Sequence, residues 1–372
     1  MEGRVLYRRV SPLRGEEARG GRWSPTASAS GKLTKEENDM FSKLRNRFIQ
    51  SPALYYAMSI AATWAGVGSL MNGITMVQDY GIVPFLIWAL GNTLACVVFG
   101  IFAPAIPKLR EVFRSKPIHI LAGLMCVFQI WLSMNGIQSI FADTVLGDTF
   151  GTILAYASAG FFLILLVRFG MVRNVLTDNM SWSAVYGVAL ILTVCAIIHS
   201  RGNMNTLSMG LDAASLGVGV NKALLLLPGA FLYPYFFEML DYNDKNADGI
   251  KKINIRRAFT LGGFLFGAYL AFTFLLAWTN FSPVLNIIKA VLVTLVAVST
   301  LSSFLYSVYI TFGRKLGLAV NLASVALWQM LIPLGVMGVW TLMSTIRIYI
   351  VAGAVIAAFI WHTVERRKAG AV

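Results

Sequence analysis

Ala62-Thr63-Trp64-Ala65-Gly66-Val67-Gly68-Ser69 interrupts an apolar segment that begins near residue 54, and Leu227-Pro228-Gly229-Ala230-Phe231 interrupts a second one far along the chain. Glycine and proline in mid-membrane leave backbone N–H and C=O groups unpaired, and lipid cannot satisfy them. Such a break survives where it lines a protein-enclosed cavity, and matching breaks in two halves of a hydrophobic chain point to a transporter's binding site. Two ordinary kinked helices are the plainer alternative, since Gly and Pro are common in membrane spans. The equivalent positions of the two breaks within a repeated topology favour the cavity.

The chain around these breaks is 57% hydrophobic and 13% charged, with mean hydropathy +0.68. Soluble domains carry about 25% charged residues, so composition alone implies a polytopic membrane protein. A span needs roughly 20 apolar residues. On that scale ten segments qualify, at 54–77, 82–106, 117–141, 150–169, 182–199, 221–240, 258–279, 284–312, 317–338 and 342–363. Only Val339-Trp340-Thr341 separates the ninth from the tenth. Spans one to five and six to ten form two similar stretches, and because five is odd the second half starts on the opposite side. The expected fold is therefore all-α: about ten transmembrane helices in a 5+5 inverted repeat, with the first and sixth helices broken. Residues 53–364 make the membrane domain, 1–52 a basic cytoplasmic tail and 365–372 a short second tail.

Charge tests this division independently. With the N-terminus inside, 27 of the 31 Lys and Arg fall in inside segments, and only Arg201 and Lys222 fall outside. That asymmetry is the positive-inside rule and predicts both termini in the cytoplasm, in a plasma or bacterial inner membrane. It also accounts for the net charge of +14, which would otherwise suggest nucleic acid. The basic residues lie in loops between spans, so no nucleic-acid partner is expected, and the lipid bilayer is the surrounding medium. The tail has Arg4, Arg8, Arg9 and Arg14 among Gly, Ser and Pro with no apolar stretch, which argues against a cleavable signal. It reads as disordered, followed by an amphipathic surface run from Glu36 to Ile49. Cys96, Cys126 and Cys195 all lie in apolar segments without a CxxC, so neither disulfide nor zinc is expected. His119, His199 and His362 sit near span ends and read as capping or snorkelling residues.

Thr63-Trp64-Ala65-Gly66-Val67-Gly68-Ser69-Leu70 resembles the unwound segment of sodium-coupled symporters of the leucine-transporter-type 5+5 fold, and Val296-Ala297-Val298-Ser299-Thr300-Leu301-Ser302-Ser303 resembles the eighth-helix pattern of sodium:solute symporters. That resemblance implies a sodium ion (Na+) held by the carbonyls of Ala62, Ala65 and Val296 and the hydroxyls of Ser299 and Thr300. Hydroxyls and unwound carbonyls can supply a hard cation inside lipid without a buried carboxylate. Small residues that let helices approach closely would give the same serine cluster. After the first break stands Leu70-Met71-Asn72-Gly73 rather than the Arg-Phe-Pro of neurotransmitter-type transporters.

A solute would sit between the breaks. Gly66 and Gly68 permit close backbone approach, Pro228 and Gly229 open the sixth span, and Ser69, Phe231 and Tyr233 are candidate liners with Gln129 and Asn135 from the third span. Asn92 reads as an interhelical hydrogen-bonding residue. Lys289 and Arg347 are the two charges expected within spans, snorkelling to the outer interface. Glu238 and Asp241 are expected to pair with basic inner loops. Asp244-Lys245-Asn246-Ala247-Asp248-Gly249 matches half of a calcium loop, but Ile255 stands where the bidentate Glu belongs, so a solvated turn is expected. No nucleophile elbow, HExxH, P-loop or pair of intramembrane carboxylates suggests catalysis or an organic cofactor. The expectation is a secondary transporter of a small-molecule solute, probed against the alternative of a channel or a non-transporting scaffold that keeps the fold.

Overall fold

A computed structural model describes residues 52–142, 144–168, 171–199, 206–244, 253–278, 282–331 and 336–370. The basic tail with its surface run and the calcium-like turn at 245–249 lie outside the described residues, as do the side chains of His199 and Arg347. Among the described residues regular structure is helical throughout. We number the helices α1 (Pro52–Trp64), α2 (Val67–Thr75), α3 (Ile82–Ala105), α4 (Pro107–Phe113), α5 (Lys116–Ala142), α6 (Gly147–Arg168) and α7 (Met171–His199). There follow α8 (Ala213–Leu226), α9 (Pro234–Asp244), α10 (Ile255–Trp278), α11 (Pro283–Phe312), α12 (Arg314–Leu331) and α13 (Val336–Gly370). Seven of these helices contain a stretch long and apolar enough to cross a membrane: α3, α5, α6, α7, α10, α11 and α13. The pair α1 and α2, with the π-helical turn Met76–Tyr80, counts as an eighth, bent by 64° at its break. The protein is thus an integral, multi-pass membrane protein. The sixth and ninth expected spans fall on shorter elements, α8 with α9 and α12.

Local sequence explains the ends. Asp212 caps α8, its carboxylate accepting from Ser215 N–H at 2.8 Å, and the same bond holds its acid below the usual carboxylate range. Ser282 caps α11 ahead of Pro283, a residue suited to the first helical turn. Gly313, at φ 78°, ends α11 in a conformation that only glycine adopts freely.

Two boundaries differ from the sequence reading. α7 starts at Met171, not near 182, so eleven polar and mixed residues expected in a loop are helical. Val339-Trp340-Thr341 does not separate two spans; the helix α13 starts at Val336 and runs straight through it.

Packing divides the helices into two groups. α3 packs on α10 and α8, and α10 also on α1; α5 packs on α11 and α6, and α11 also on α7. Small residues set the closest approaches: a Cβ on Gly91 would lie 2.6 Å from Ala223 Cα, and one on Gly263 2.6 Å from Thr93 O. This is how membrane helices gain packing without a hydrophobic drive between them. α1 bridges the groups through contacts with α7 and α11.

Candidate functional site

The first break is short. Ala65 and Gly66 leave the helix, with Gly66 extended at φ −86° and ψ 170°. Ala65 N–H still reaches Ala61 O, but Gly66 N–H turns back to Trp64 O. The Ala62 carbonyl therefore loses the bond that a continuing helix would give it. Gly68 lies inside the first turn of α2 rather than in the break. The second break is longer: Leu227 and Pro228 turn, Gly229–Leu232 form a 3-10 turn, and Tyr233 is extended before α9. The breaks touch, since a Cβ on Gly229 would meet the Trp64 ring at 3.1 Å and the Trp64 and Tyr233 rings are 5.3 Å apart, edge to face.

Beside the first break stands α11. Thr300 Oγ1 lies 2.9 Å from Ala65 O and 2.7 Å from Val296 O, its one proton serving both carbonyls. Ser299 Oγ is buried and makes no hydrogen bond among the described residues. Buried hydroxyls ordinarily have a partner. Three oxygens of the sequence-derived cation set, those of Ala65, Val296 and Thr300, thus meet directly. Ser299 offers an unused oxygen from the same turn of α11, and the Ala62 carbonyl is free of its helical bond. This donor set suits a hard monovalent cation, supplying hydroxyl and carbonyl oxygens and no nitrogen or sulfur.

One helical turn further along α11 the structure reveals what the sequence reading missed. Asp178 of α7 is fully buried. Its carboxylate accepts from Ser59 Oγ of α1, from Ser302 Oγ at 3.1 Å and from Asn174 Nδ2 at 3.4 Å. Ser59 Oγ also lies 2.9 Å from the Tyr235 hydroxyl of α9, and Thr63 Oγ1 donates to Ser303 Oγ at 2.9 Å. Ser302 shares its proton with Ser299 O at 2.8 Å, which ties this cluster to the cation set. The expectation that spans would carry only Lys289 and Arg347 as charges is therefore corrected: Asp178, within the candidate span Asn174–Ile198, is a buried acid enclosed by hydroxyls from α1, α9 and α11. A signal was present. Val175, Leu176, Asn179 and Trp182 repeat at helical spacing and are all buried, so the apolar run could have been extended backwards through Asp178.

A cavity of about 100 Å³ opens between the breaks. Gly66, Gly68, Ser69, Gln129 and Tyr233, five of the sequence-derived solute residues, line it. Pro228, Gly229 and Phe231 do not: Gly229 backs onto Trp64, and Phe231 packs against Phe99 and Phe113 at 5.0 and 5.5 Å. The lining that the sequence did not suggest is Trp64, Asn72, Trp88, Leu132, Leu226 and Phe304. Asn92, expected to bond between helices through its side chain, also reaches it; its Nδ2 instead donates to Trp88 O within α3, and it is its backbone carbonyl that accepts from Trp64 Nε1 of α1 at 3.1 Å. Beneath Phe231 a second cavity of about 290 Å³ ends at Arg114 and Asp241, which form an ion pair. Arg110 joins Asp244 at 2.6 Å beside it, so Asp241 does pair with the basic segment after the second span. The chain matches no protein-family model and no curated protein.

Proposed function

We propose that this protein is a secondary transporter of the 5+5 inverted-repeat class, carrying a small organic solute by alternating access and coupled to a cation, with sodium as the first candidate. The observation that carries the reading is the contact between the two breaks, with a cavity on one side and the Ala65–Thr300–Val296 oxygens on the other. Irregular backbone at membrane depth is costly unless it lines such a site. Asp178 adds a second argument: an intramembrane carboxylate is expensive and marks ion pathways. Here it would draw a cation toward the oxygen set through Ser302 and Ser299.

The packing agrees with ten spans in two halves. The two most extensive helix pairings join α3 with α10 and α5 with α11, the second with the seventh span and the third with the eighth. These are equivalent members of the two expected halves, which a two-fold axis in the membrane plane brings together. The two packing groups would rock against each other about the site, and the charge asymmetry puts both termini in the cytoplasm.

The test is reconstitution into proteoliposomes with an imposed sodium gradient, then a proton gradient, and uptake of a panel of labelled solutes. Accumulation that follows sodium and not potassium supports the reading; a response to pH alone moves the coupling ion to a proton on Asp178. Absence of accumulation with every gradient, in protein that is folded, rejects transport in favour of a scaffold.

A further inference from the structure

We infer that the cavity between the breaks takes an uncharged, hydrogen-bonding solute of single-ring size with one apolar face, and not an amino acid or other ion. The inference rests on the transporter reading and narrows it to a substrate class.

Charge is the first argument. Among the described residues, no Asp, Glu, Lys, Arg or His lines the cavity. The buried Asp178 is not in the lining, and its oxygens are taken by Ser59, Ser302 and Asn174. An ammonium group could turn instead to backbone carbonyls, but several at the breaks are engaged, and Ala62 O, which lacks its helical bond, belongs to the proposed cation set. Ala65 O accepts from Thr300, Trp64 O from Gly66 N–H, Pro228 O from Phe231 N–H and Ala230 O from Tyr233 N–H. A charged group placed here would exchange water for partners already in use, which is unfavourable.

The uncommitted polar groups are neutral. The side chains of Ser69, Asn72 and Gln129 make no hydrogen bond among the described residues, and all three reach the cavity. Hydroxyl and amide groups both donate and accept, which matches the edge of a sugar or a heterocycle. Trp64, Trp88, Tyr233 and Phe304 line the same cavity. Trp64 spends its N–H on Asn92 O, so it meets a solute with its ring. A lining that combines four rings with a few polar groups suits a molecule that is apolar on its face and polar at its rim. The volume of about 100 Å³ is well below the roughly 300–1,000 Å³ of drug-sized sites, so one ring is the limit. The first-turn N–H groups of α2 add a partial positive end, which suits a carbonyl or hydroxyl oxygen and would also attract a carboxylate; the test therefore includes one.

Purified full-length protein in sodium buffer would be titrated with uracil, nicotinamide, D-xylose and D-ribose as neutral probes. L-proline, pyruvate and choline serve as zwitterion, anion and cation. Binding is read by intrinsic tryptophan fluorescence, since Trp64 and Trp88 line the cavity, and by thermal shift. We expect a saturable response to at least one neutral probe and none to the three charged ones. Gln129→Ala and Asn72→Ala, whose side chains hold nothing else together, should each weaken it by about tenfold, the loss of one good hydrogen bond, at unchanged melting temperature. A saturable response to proline, pyruvate or choline, or silence of all four neutral probes, overturns the class. The two readings fail separately. Binding of a neutral probe without accumulation in proteoliposomes would reject transport and keep the class, whereas accumulation of proline would keep transport and reject the class.

Discussion

At the first break only Ala65 and Gly66 leave the helix; their N–H groups turn back to Ala61 O and Trp64 O, while the Ala65 carbonyl is met from another element, by Thr300 of α11. At the sixth-span break the chain leaves the helix from Leu227 to Tyr233, and its groups meet one another: Phe231 N–H bonds Pro228 O and Tyr233 N–H bonds Ala230 O. The first break thus carries a hydrogen bond from a helix of the other packing group, which the second does not show among the described residues; the second is held by its own turn and by aromatic rings. Phe231 is clasped by Phe99 and Phe113, while Tyr233 stacks on Phe236 and leans on Phe304. Hydroxyl-to-carbonyl bonds can be exchanged for a cation at little cost in packing, whereas a ring cluster cannot be rearranged piecemeal. If the transport proposal holds, ion response falls to the first break and mechanical support to the second.

Substitutions can break or sharpen that contrast. The largest effect should come from Phe231→Ala, which removes a fully buried ring at the second break and should cost about 3–5 kcal/mol in denaturant unfolding of detergent-solubilised protein. A loss under about 1 kcal/mol, the range of a tolerated surface change, would mean that the rings do not hold the break. Sodium stabilisation should follow the first break instead. Wild type at a sodium concentration one hundred times Kd should gain about 2.7 kcal/mol. Asp178→Asn keeps the shape, removes the ionisable acid and should abolish most of that gain in a thermal-shift series against potassium. An undiminished gain would detach Asp178 from the ion site.

Thr300→Val keeps the volume but withdraws the proton shared by Ala65 O and Val296 O. Stability in the absence of sodium should fall by about 1–3 kcal/mol, the cost of buried groups left unsatisfied, and calorimetry on the same preparation would measure it. The smallest effects concern the glycines. A Cβ at Gly66 would sit 3.6 Å from Thr300 Cγ2, ordinary contact, and φ there is not positive. Gly66→Ala should change the unfolding free energy by less than about 0.5 kcal/mol. Gly229→Ala pushes against the Trp64 ring at 3.1 Å and should cost about 1 kcal/mol. Equal costs at the two glycines would erase the difference between an open break and a packed one.

The residues that make the breaks were legible because breaking a helix is a local act: Gly66, Pro228 and Gly229 interrupt apolar runs whatever surrounds them. The seven long apolar helices were legible for the same reason, since length and hydropathy belong to each segment alone. Local reading fails at Val339-Trp340-Thr341, which the helix α13 passes through without interruption. It also stopped short at α7, because Asn174, Thr177, Asp178 and Asn179 lower the hydropathy of a stretch that is nonetheless helical and largely buried.

What the sequence determined by itself is a chain of long apolar helices with basic segments between them and two built-in interruptions. Only the tertiary structure decided that Asp178 is enclosed rather than loop-exposed. Its burial depends on Ser59, Tyr235 and Ser302 arriving from three other helices, distant in the chain and individually unremarkable as polar residues in a span. It likewise decided that Phe231 faces away from the cavity while Trp88 and Asn72 face into it. Hydropathy and helix breaking act along the chain, but hydrogen bonds and ring contacts between helices depend on rotation and depth, and those are set only when every neighbour has packed.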